Sequence, residues 1–162
     1  MEEVRFCQRC GSSLRPQMRE GRMRPVCGNC GAVVFFDPKV VAGVIIPIEG
    51  KIVMIRRSME PGLGRWTFPA GFVDRGEAVE AAAVREAREE TGLEVELTRL
   101  VGVYSRSGDV NILVVYEGRV VGGTLLAGDE AQEAGLFPLD GLPPLAFARD
   151  EGIIREWREH TT

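Results

Sequence analysis

The stretch GFVDRGEAVEAAAVREAREETGL, residues 71–93, decides the fold of this chain. Its residues from Glu77 to Glu90 are mainly alanine, glutamate and arginine, and Gly92 follows where helices commonly end in a left-handed residue. A helix over this segment is therefore predicted. At about 100° per residue, the side chain of Glu86 lies within about 60° of those of Glu89 and Glu90. Three carboxylates then share one face near the helix C-terminus.

This acidic face is unfavourable for a helix that has no counter-charge. The carboxylates repel one another, and the helix dipole places partial negative charge at the same end. Arg85 and Arg88 offer partial neutralisation, so an ordinary solvated helix end is one interpretation. The glutamates nevertheless continue a stripe of small apolar residues, Val79, Ala82 and Ala83, which favours close packing against a sheet. A hard divalent cation held by oxygen ligands is the other interpretation, and it balances the charge better.

The stretch also resembles the signature of the Nudix hydrolase superfamily. The signature begins with Gly71, which is followed by five residues, Glu77, seven residues and Arg85-Glu86. It continues with an apolar residue, any residue, two glutamates, any residue, a glycine and an apolar residue. All defined positions are met, and Ala87 is the weakest match. The resemblance implies an α+β fold, an α/β/α sandwich with a mixed β-sheet.

The resemblance further implies a catalytic Mg²⁺ or Mn²⁺ site on the predicted helix. Its ligands would be the carbonyl of Gly71 with Glu86, Glu89 and Glu90. Arg85 would orient the carboxylates, while Glu77 would hold the helix start or join the metal shell through water. Ala70 and Asp74 stand where the family often has glycine and glutamate, but neither position is a metal ligand.

Composition places the chain among globular proteins. Its 162 residues suit one ordinary domain with a small appendage, and 44% of them are hydrophobic. No apolar run approaches the ~20 residues that cross a membrane, and the charged N-terminus lacks the apolar core of a secretion signal. We therefore expect a cytoplasmic protein without a membrane partner.

The net charge of −4 is unevenly distributed. Residues 1–31 carry six arginines against three glutamates, a balance of +3, which leaves −7 for the remainder. An acidic body suits a metal-phosphate site better than a nucleic-acid surface. We therefore expect a small nucleotide substrate and no nucleic-acid partner.

All four cysteines lie in the first 31 residues. The pairs Cys7-x-x-Cys10 and Cys27-x-x-Cys30 are separated by sixteen residues, a spacing typical of a zinc ribbon with one structural Zn²⁺. Two disulfides or a redox pair are the alternatives, and the missing secretion signal and the duplicated spacing disfavour them. We therefore predict a zinc ribbon over residues 1–35 and a hydrolase domain over residues 36–162.

The arginines of the ribbon raise the question of nucleic-acid binding. Four thiolates on one Zn²⁺ carry a local charge of −2, which reduces the balance of this segment to about +1. A structural or dimer-forming ribbon is therefore the favoured interpretation.

The remaining chain alternates apolar runs with turns. Strands are predicted over 40–46, 51–57, 95–104 and 110–121, with a shaped loop over 59–71 and a final helix over 149–159. The segment 125–136 is predicted as a loop that carries Asp129, Glu130 and Glu133. One of these acids could be a further metal ligand or the general base, and an exposed turn is the alternative.

Substrate contacts are predicted from residue type. Arg56 and Arg57 end a strand and either lie in solvent or reach a substrate phosphate. An adenine base would stack on an aromatic ring, and the candidates are Phe36, Trp66, Phe68 and Tyr104. Within the family the general base varies, so Glu86, Glu89, Glu130 and Glu133 all stay open.

The ribbon, the PAGFVD segment and the tail LFPLDGLPPLAF together resemble the ribbon-bearing branch of the superfamily. This branch includes NADH pyrophosphatases and FAD/ADP-ribose pyrophosphatases. Residues 94–121 contain no proline or tryptophan, whereas NADH pyrophosphatases carry a Ser-Gln-Pro-Trp-Pro-Phe-Pro stretch shortly after the signature. The proline that ADP-ribose enzymes often place downstream of the signature is missing too, but the overall layout is closer to the FAD/ADP-ribose group. The resemblance therefore favours hydrolysis of ADP-ribose, FAD or a similar dinucleotide to two monophosphates, by a homodimer. The alternatives are an RNA 5′-end pyrophosphohydrolase, an NADH pyrophosphatase and a non-catalytic nucleotide-sensing module.

Overall fold

The computed structural model of the protein describes residues 4–160. The chain divides into two compact units, Met1–Pro38 and Lys39–Thr162. In chain order the elements are β1 (Leu14–Arg19), β2 (Arg22–Cys27), β3 (Lys39–Ile45), β4 (Pro47–Ile48), β5 (Lys51–Arg57), β6 (Trp66–Thr67), β7 (Ala70–Phe72), α1 (Val79–Thr91), β8 (Leu93–Tyr104), β9 (Asn111–Gly123), β10 (Ala131–Pro138) and α2 (Ala148–Glu159).

The first unit is built on one hairpin. Strands β1 and β2 pair antiparallel, with Leu14 opposite Cys27 and Arg19 opposite Arg22. Glu20 and Gly21 form the turn with φ of 50° and 74°, the positive values that a two-residue hairpin turn requires. The buried apolar residues of this unit are few, namely Cys7, Val26 and Cys27.

The second unit contains a mixed sheet, as expected. Its order is β7-β3-β9-β8, and β3 runs parallel to β9 while the other pairs are antiparallel. A second sheet has the order β10-β5-β4, with β6 also paired to β5. The continuous apolar run in β3 reflects burial on both faces, since Val44 and Ile45 are both fully buried.

Two apolar clusters lie on opposite faces of β3. One packs Ala82, Ala83 and Ala87 of α1 against Val44. The other surrounds Ile45 with the apolar stripe of α2, which is formed by Ile153, Ile154 and Trp157. Because adjacent residues of a strand point to opposite faces, the two helices cover opposite sides of the sheet. This is the predicted α/β/α sandwich.

Two predicted loops contain strands. The segment predicted as a loop over 125–136 includes most of β10, because this strand pairs with β5 from Ala131 to Pro138. The shaped loop over 59–71 includes β6 and the start of β7, which add short pairings beside β5 and β3. Among residues 4–160, no helix has the length and apolar character needed to cross a bilayer.

Candidate active site

Helix α1 brings the acidic face of the signature to the sheet. Its small residues Ala82, Ala83 and Ala87 are fully buried, which allows the helix to approach β3 closely. The helix ends at Gly92, whose φ of 69° is left-handed and whose amide donates to the carbonyl of Arg88. The predicted helix and its glycine terminus are therefore confirmed, although the first turn begins at Val79 instead of Glu77.

Arg85 is the centre of a carboxylate network. Its Nε and Nη2 donate to the two carboxylate oxygens of Glu77 at 2.8 and 2.9 Å. Its Nη1 donates to Glu86 at 2.6 Å and to Glu89 at 3.0 Å, and Nη2 also donates to the carbonyl of Phe72 at 3.0 Å. The hydrogen bonds from Arg85 lower the pKa of Glu77 to about 2. Glu77 is thus an anionic anchor for Arg85 at the start of the helix.

Glu86 and Glu90 are the two buried acids of the helix. Oε2 of Glu90 accepts a hydrogen bond of 2.8 Å from the amide of Ala70. Burial raises the pKa of Glu90 to about 8, and burial also raises the pKa of Glu86. A pair of desolvated carboxylates of this kind favours a proton or a metal ion as its partner.

Gly71 lies directly against this pair. A Cβ atom at this position would overlap with the carboxylate of Glu86, so only glycine allows the carboxylate to approach the backbone. The carbonyl of Gly71 and the carboxylates of Glu86, Glu89 and Glu90 form an all-oxygen donor set, which suits Mg²⁺ or Mn²⁺. The residues present therefore fit the catalytic cation that the family uses.

The three carboxylates do not yet form a closed ligand cluster. Among residues 4–160, the four cysteines are the only group of three or more His, Cys, Asp or Glu residues whose ligand atoms all lie within 4.8 Å. The carboxylate of Glu89 is paired with Arg85, and its side chain is 58% exposed. Glu89 therefore faces solvent and would have to turn to join a cation that Glu86 and Glu90 would hold.

A cleft of two adjoining cavities opens beside the carboxylates. The first, of about 300 Å³, is lined by Gly71, Arg85, Glu86, Glu90 and Glu130, and also by Arg57. The second, of about 230 Å³, shares Arg57 and Gly71 with the first and continues towards the N-terminus of α2. One cationic side chain thus stands at the junction between an acidic cavity and a more apolar one.

The two predicted arginines separate in the structure. Arg57 lines both cavities, and its Nε donates to the carbonyl of Pro61 at 2.7 Å. Arg56 points elsewhere, because its Nε donates to the carbonyl of Gly64 at 2.9 Å and its Nη1 lies 3.9 Å from Glu133. Successive residues of a strand point to opposite faces, which explains the divergence.

The two predicted loop acids, Glu130 and Glu133, also lie in different surroundings. Glu130 lines the acidic cavity. Glu133 belongs to strand β10, where it lies opposite Arg56 in the register and forms the ion pair described above. The expectation that Glu133 lies on a loop is therefore wrong, since the segment 131–138 is drawn into the second sheet.

The predicted aromatic contacts are mostly structural. Trp66 is 9% exposed and packs edge-on against Phe137, with 4.6 Å between ring centroids. Phe68 is 1% exposed and lines the wall of the 230 Å³ cavity. Tyr104 donates to Glu156 at 3.1 Å and lines a separate groove of about 730 Å³, while Phe36 is an exposed residue of the first unit. Of the three rings in the second unit, only that of Phe68 borders the cleft.

Sequence reasoning missed the far end of the cleft. The 230 Å³ cavity is also lined by Asn111, Phe147, Arg149 and Asp150. Asp150 accepts a 2.8 Å hydrogen bond from the hydroxyl of Thr67, and burial raises its pKa to about 6. These residues are far apart along the chain, so sequence spacing does not predict that they line one cavity. An acid in the first turn of a helix is also too common to indicate a functional site.

The four cysteines of the first unit come together. Sγ of Cys7 is 3.7 Å from Sγ of Cys30, and Sγ of Cys10 is 3.5 Å from Sγ of Cys27, so the thiols are free. A tetrahedral ion with metal–sulfur bonds of about 2.3 Å places its sulfurs about 3.8 Å apart. The cysteines therefore fit a single tetrahedral metal ion, and the disulfide alternative does not describe this structure.

A mixed α/β/α sandwich with a carboxylate-bearing helix beside its cleft defines a Nudix-type domain. The NUDIX domain model matches residues 37–159, and the Nudix N-terminal model, which describes a zinc ribbon, matches residues 5–35. The chain therefore belongs to the Nudix family, and it is a Nudix hydrolase with an N-terminal ribbon.

Three similar proteins are informative. The ADP-ribose pyrophosphatase of Methanocaldococcus jannaschii is 41% identical over 130 residues, which are 76% of this chain and 75% of that protein. The NAD-capped RNA hydrolase NudC of Pseudomonas aeruginosa is 33% identical over 90% of this chain, but the chain spans only 51% of that protein. The crystal structure of a NUDIX hydrolase from Nitrosomonas europaea is 29% identical, covers 98% of this chain and 93% of its own, and has a TM-score of 0.91.

Proposed function

We propose that this chain hydrolyses the pyrophosphate bond of a nucleoside diphosphate linked to another moiety, such as ADP-ribose or FAD, in a Mg²⁺- or Mn²⁺-dependent reaction. The products would be two monophosphates. One observation carries the proposal: the buried carboxylate of Glu86 faces Gly71, and that of Glu90 accepts from the neighbouring Ala70 amide, beside a cleft that continues past Arg57. This arrangement joins a cation site to a space for an organic group.

Different side chains would bind the cation and the substrate phosphate. Glu86, Glu89 and Glu90 with the Gly71 carbonyl would hold the divalent cation, which when bound offsets phosphate charge and lowers the pKa of water. Arg85 keeps the carboxylates in position through its bonds to Glu77 and the helix acids. Arg57, at the junction of the two cavities, would bind a phosphate oxygen of the substrate.

A base near the cleft would take the proton of the attacking water. Glu130 lines the acidic cavity, whereas Glu133 is paired with Arg56 in the second sheet. We therefore favour Glu130 over Glu133 for this role, with Glu86 and Glu89 as the candidates on the helix.

The similarity to the Methanocaldococcus jannaschii ADP-ribose pyrophosphatase supports the choice of substrate class. The test is a panel of ADP-ribose, FAD, NADH, nucleoside triphosphates and capped RNA with Mg²⁺, followed by chromatographic identification of the products. We expect one dinucleotide to give two monophosphates, with loss of the reaction in EDTA. Binding without any turnover would instead support a nucleotide-sensing module.

Hydrolysis of a nucleotide cap on RNA is the second candidate. It is favoured by the similarity to the NAD-capped RNA hydrolase NudC and by the ribbon hairpin, on which Arg15, Arg19, Arg22 and Arg24 cluster. A strand that contacts several arginines releases counterions, so RNA binding should weaken steeply with salt, whereas ADP-ribose hydrolysis should not. RNA cleavage that does not depend on salt concentration would show that the ribbon arginines do not bind the RNA strand.

The ribbon itself is proposed to hold one structural Zn²⁺, and the enzyme is proposed to be a homodimer of two-domain chains. Zinc content per chain, measured by atomic emission, and the mass in solution, measured by light scattering, check these two statements. A content of about one zinc per chain is expected from the four-sulfur cluster.

A further inference from the structure

Three buried side-chain polar atoms in residues 4–160 have no hydrogen-bond partner, and two of them belong to residues that line the cleft. They are Oδ1 of Asn111 and Nε of Arg149, and the third is Nε of Arg24 in the first unit. Buried polar atoms are nearly always paired, because an unpaired one keeps the whole cost of its desolvation. Asn111 and Arg149 therefore retain hydrogen-bonding capacity that the described protein groups leave unused.

Asn111 and Arg149 occupy the wall between two cavities. Together with Phe147 they line both the 230 Å³ cavity and the open groove of about 730 Å³ on its far side. The 230 Å³ cavity in turn shares Arg57 and Gly71 with the acidic cavity. The three spaces thus follow one another in a row that begins at the carboxylates of α1.

The two side chains are held in place by their neighbours. Asp109 accepts the backbone N–H of Asn111 at 3.0 Å, and its other carboxylate oxygen lies 3.8 Å from Nη1 of Arg149. The guanidinium of Arg149 lies 5.4 Å from the ring centroid of Phe147, and that of Arg57 lies 5.2 Å from the same ring. Phe147 therefore links the arginine beside the acidic cavity to the arginine of the outer wall.

We propose that Asn111 and Arg149 determine specificity by binding the part of the substrate that lies away from the cleaved bond. The inference rests on the proposed function, since the pyrophosphate is taken to lie at the carboxylates. The side-chain amide of Asn111 can donate and accept hydrogen bonds, and the guanidinium of Arg149 donates them. A nucleobase edge or a pair of sugar hydroxyls offers donors and acceptors side by side. The apolar wall formed by Phe68 and Leu113 accommodates the flat face of such a ring.

The experiment measures equilibrium affinities for ADP-ribose, ADP and ribose 5-phosphate by calorimetry in EDTA, so that no turnover occurs. The variants are Asn111→Leu and Arg149→Met, which remove the polar atoms and keep most of the volume. Arg119→Met is the matched control, because Arg119 is 66% exposed, pairs with Glu96 and lines neither cavity. We expect each cleft variant to weaken ADP-ribose binding about tenfold, and the control to leave it unchanged.

The two short ligands identify the bound group. Weaker binding of ADP but not of ribose 5-phosphate would assign the pair to the adenosine end, and the reverse result would assign it to the terminal ribose. Unchanged affinities in both variants would overturn the inference. Absence of hydrolysis with the affinity losses intact would count against the proposed function alone.

Stability provides an independent readout. Since Asn111→Leu removes an unpaired buried oxygen, the variant should melt at the same temperature as the wild-type protein or higher. A residue kept only for structure would show the opposite result. If Asn111→Leu does not fold, the ligand affinities of Arg149→Met still test the inference.

Discussion

At the scale of single residues, Arg85 holds the site together. It donates hydrogen bonds to the carboxylates of Glu77, Glu86 and Glu89. Arginine suits this position because its fixed fork reaches several acceptors at once, which the single ammonium of lysine does not do. The site is therefore organised by one cation of the protein before any metal binds.

Replacement of Arg85 by methionine should disrupt this organisation. Three carboxylates then lose their donor, so we expect the free energy of unfolding to fall by about 2 kcal/mol and turnover to fall by about 100-fold. Urea denaturation and steady-state kinetics measure the two effects. Arg88→Met on the same helix is the control, since Arg88 is exposed, and it should change stability by less than about 0.5 kcal/mol. Equal effects of the two variants would contradict the network.

Glu90 makes cation binding dependent on pH. Because burial raises the pKa of Glu90 to about 8, this carboxyl keeps its proton at neutral pH until a cation displaces it. Mg²⁺ affinity should therefore rise with pH up to about 8, with release of a proton that calorimetry detects as a buffer-dependent binding heat. In Glu90→Gln the proton release should vanish. A wild-type affinity that is flat between pH 6 and pH 8 would contradict the raised pKa of Glu90.

At the scale of elements, α2 carries a buried acid in its first turn. Asp150 is 1% exposed, accepts a hydrogen bond from Thr67 and has its pKa raised by burial from 3.8 to about 6. The folded protein thus binds the proton more tightly than the unfolded chain. The stabilisation by this proton is complete below pH 3.8 and is lost as pH rises towards 6.

Asp150→Asn should remove this pH dependence. The amide can still accept from Thr67 but does not ionise, so the variant should match the wild-type protein near pH 4 and exceed it at pH 7 by about 2 to 3 kcal/mol. Urea denaturation at a series of pH values measures the difference. A gap between the two proteins that does not widen from pH 4 to pH 7 would contradict the assigned burial.

Elements with a strong local pattern were predictable, and those that depend on distant partners were not. Helix α1 follows from its composition and Gly92, and β3 follows from its apolar run. Strand β10 was missed because its acids resemble a loop until β5 supplies the pairing. The burial of Trp66 is not predictable from its neighbours in sequence, because its packing partner Phe137 lies 71 positions along the chain.

The candidate site also has one part that the sequence predicts and another that it does not. The acids of α1 lie within one helix, so spacing alone brings them together. Asn111 and Arg149 come from β9 and α2, and only the packing of the second unit brings them to one cavity. Sequence spacing therefore predicts the carboxylate part of the candidate site, whereas tertiary structure supplies the far part of the cleft.

At the scale of the whole molecule, the two units differ in how they are stabilised. The hydrolase unit has two apolar clusters on the faces of its sheet, whereas the first unit buries few apolar side chains. A segment of this size without a large core depends on its metal to fold. We therefore expect metal removal to affect the two units differently.

Cys27→Ser should unfold the first unit with little effect on the rate per folded hydrolase unit. Loss of one ligand breaks the four-sulfur cluster, so the hairpin should become sensitive to protease while α1 and the sheets stay protected. Limited proteolysis with mass spectrometry locates the cuts, and Ser13→Ala is a control outside the cluster. Loss of turnover in protein whose hydrolase unit stays folded would make the ribbon part of the active site.

The most direct test of the central claim is the Mg²⁺ dependence of ADP-ribose hydrolysis in Glu89→Gln, with Glu80→Gln as the control on the same helix. The first change deletes a charge from the proposed cation site, and the second deletes one from the exposed first turn. We predict that Glu89→Gln lowers turnover by at least about 100-fold with the fold intact, and that Glu80→Gln stays within about twofold of the wild-type rate. Wild-type kinetics in Glu89→Gln would contradict the assignment of the α1 carboxylates to a catalytic cation.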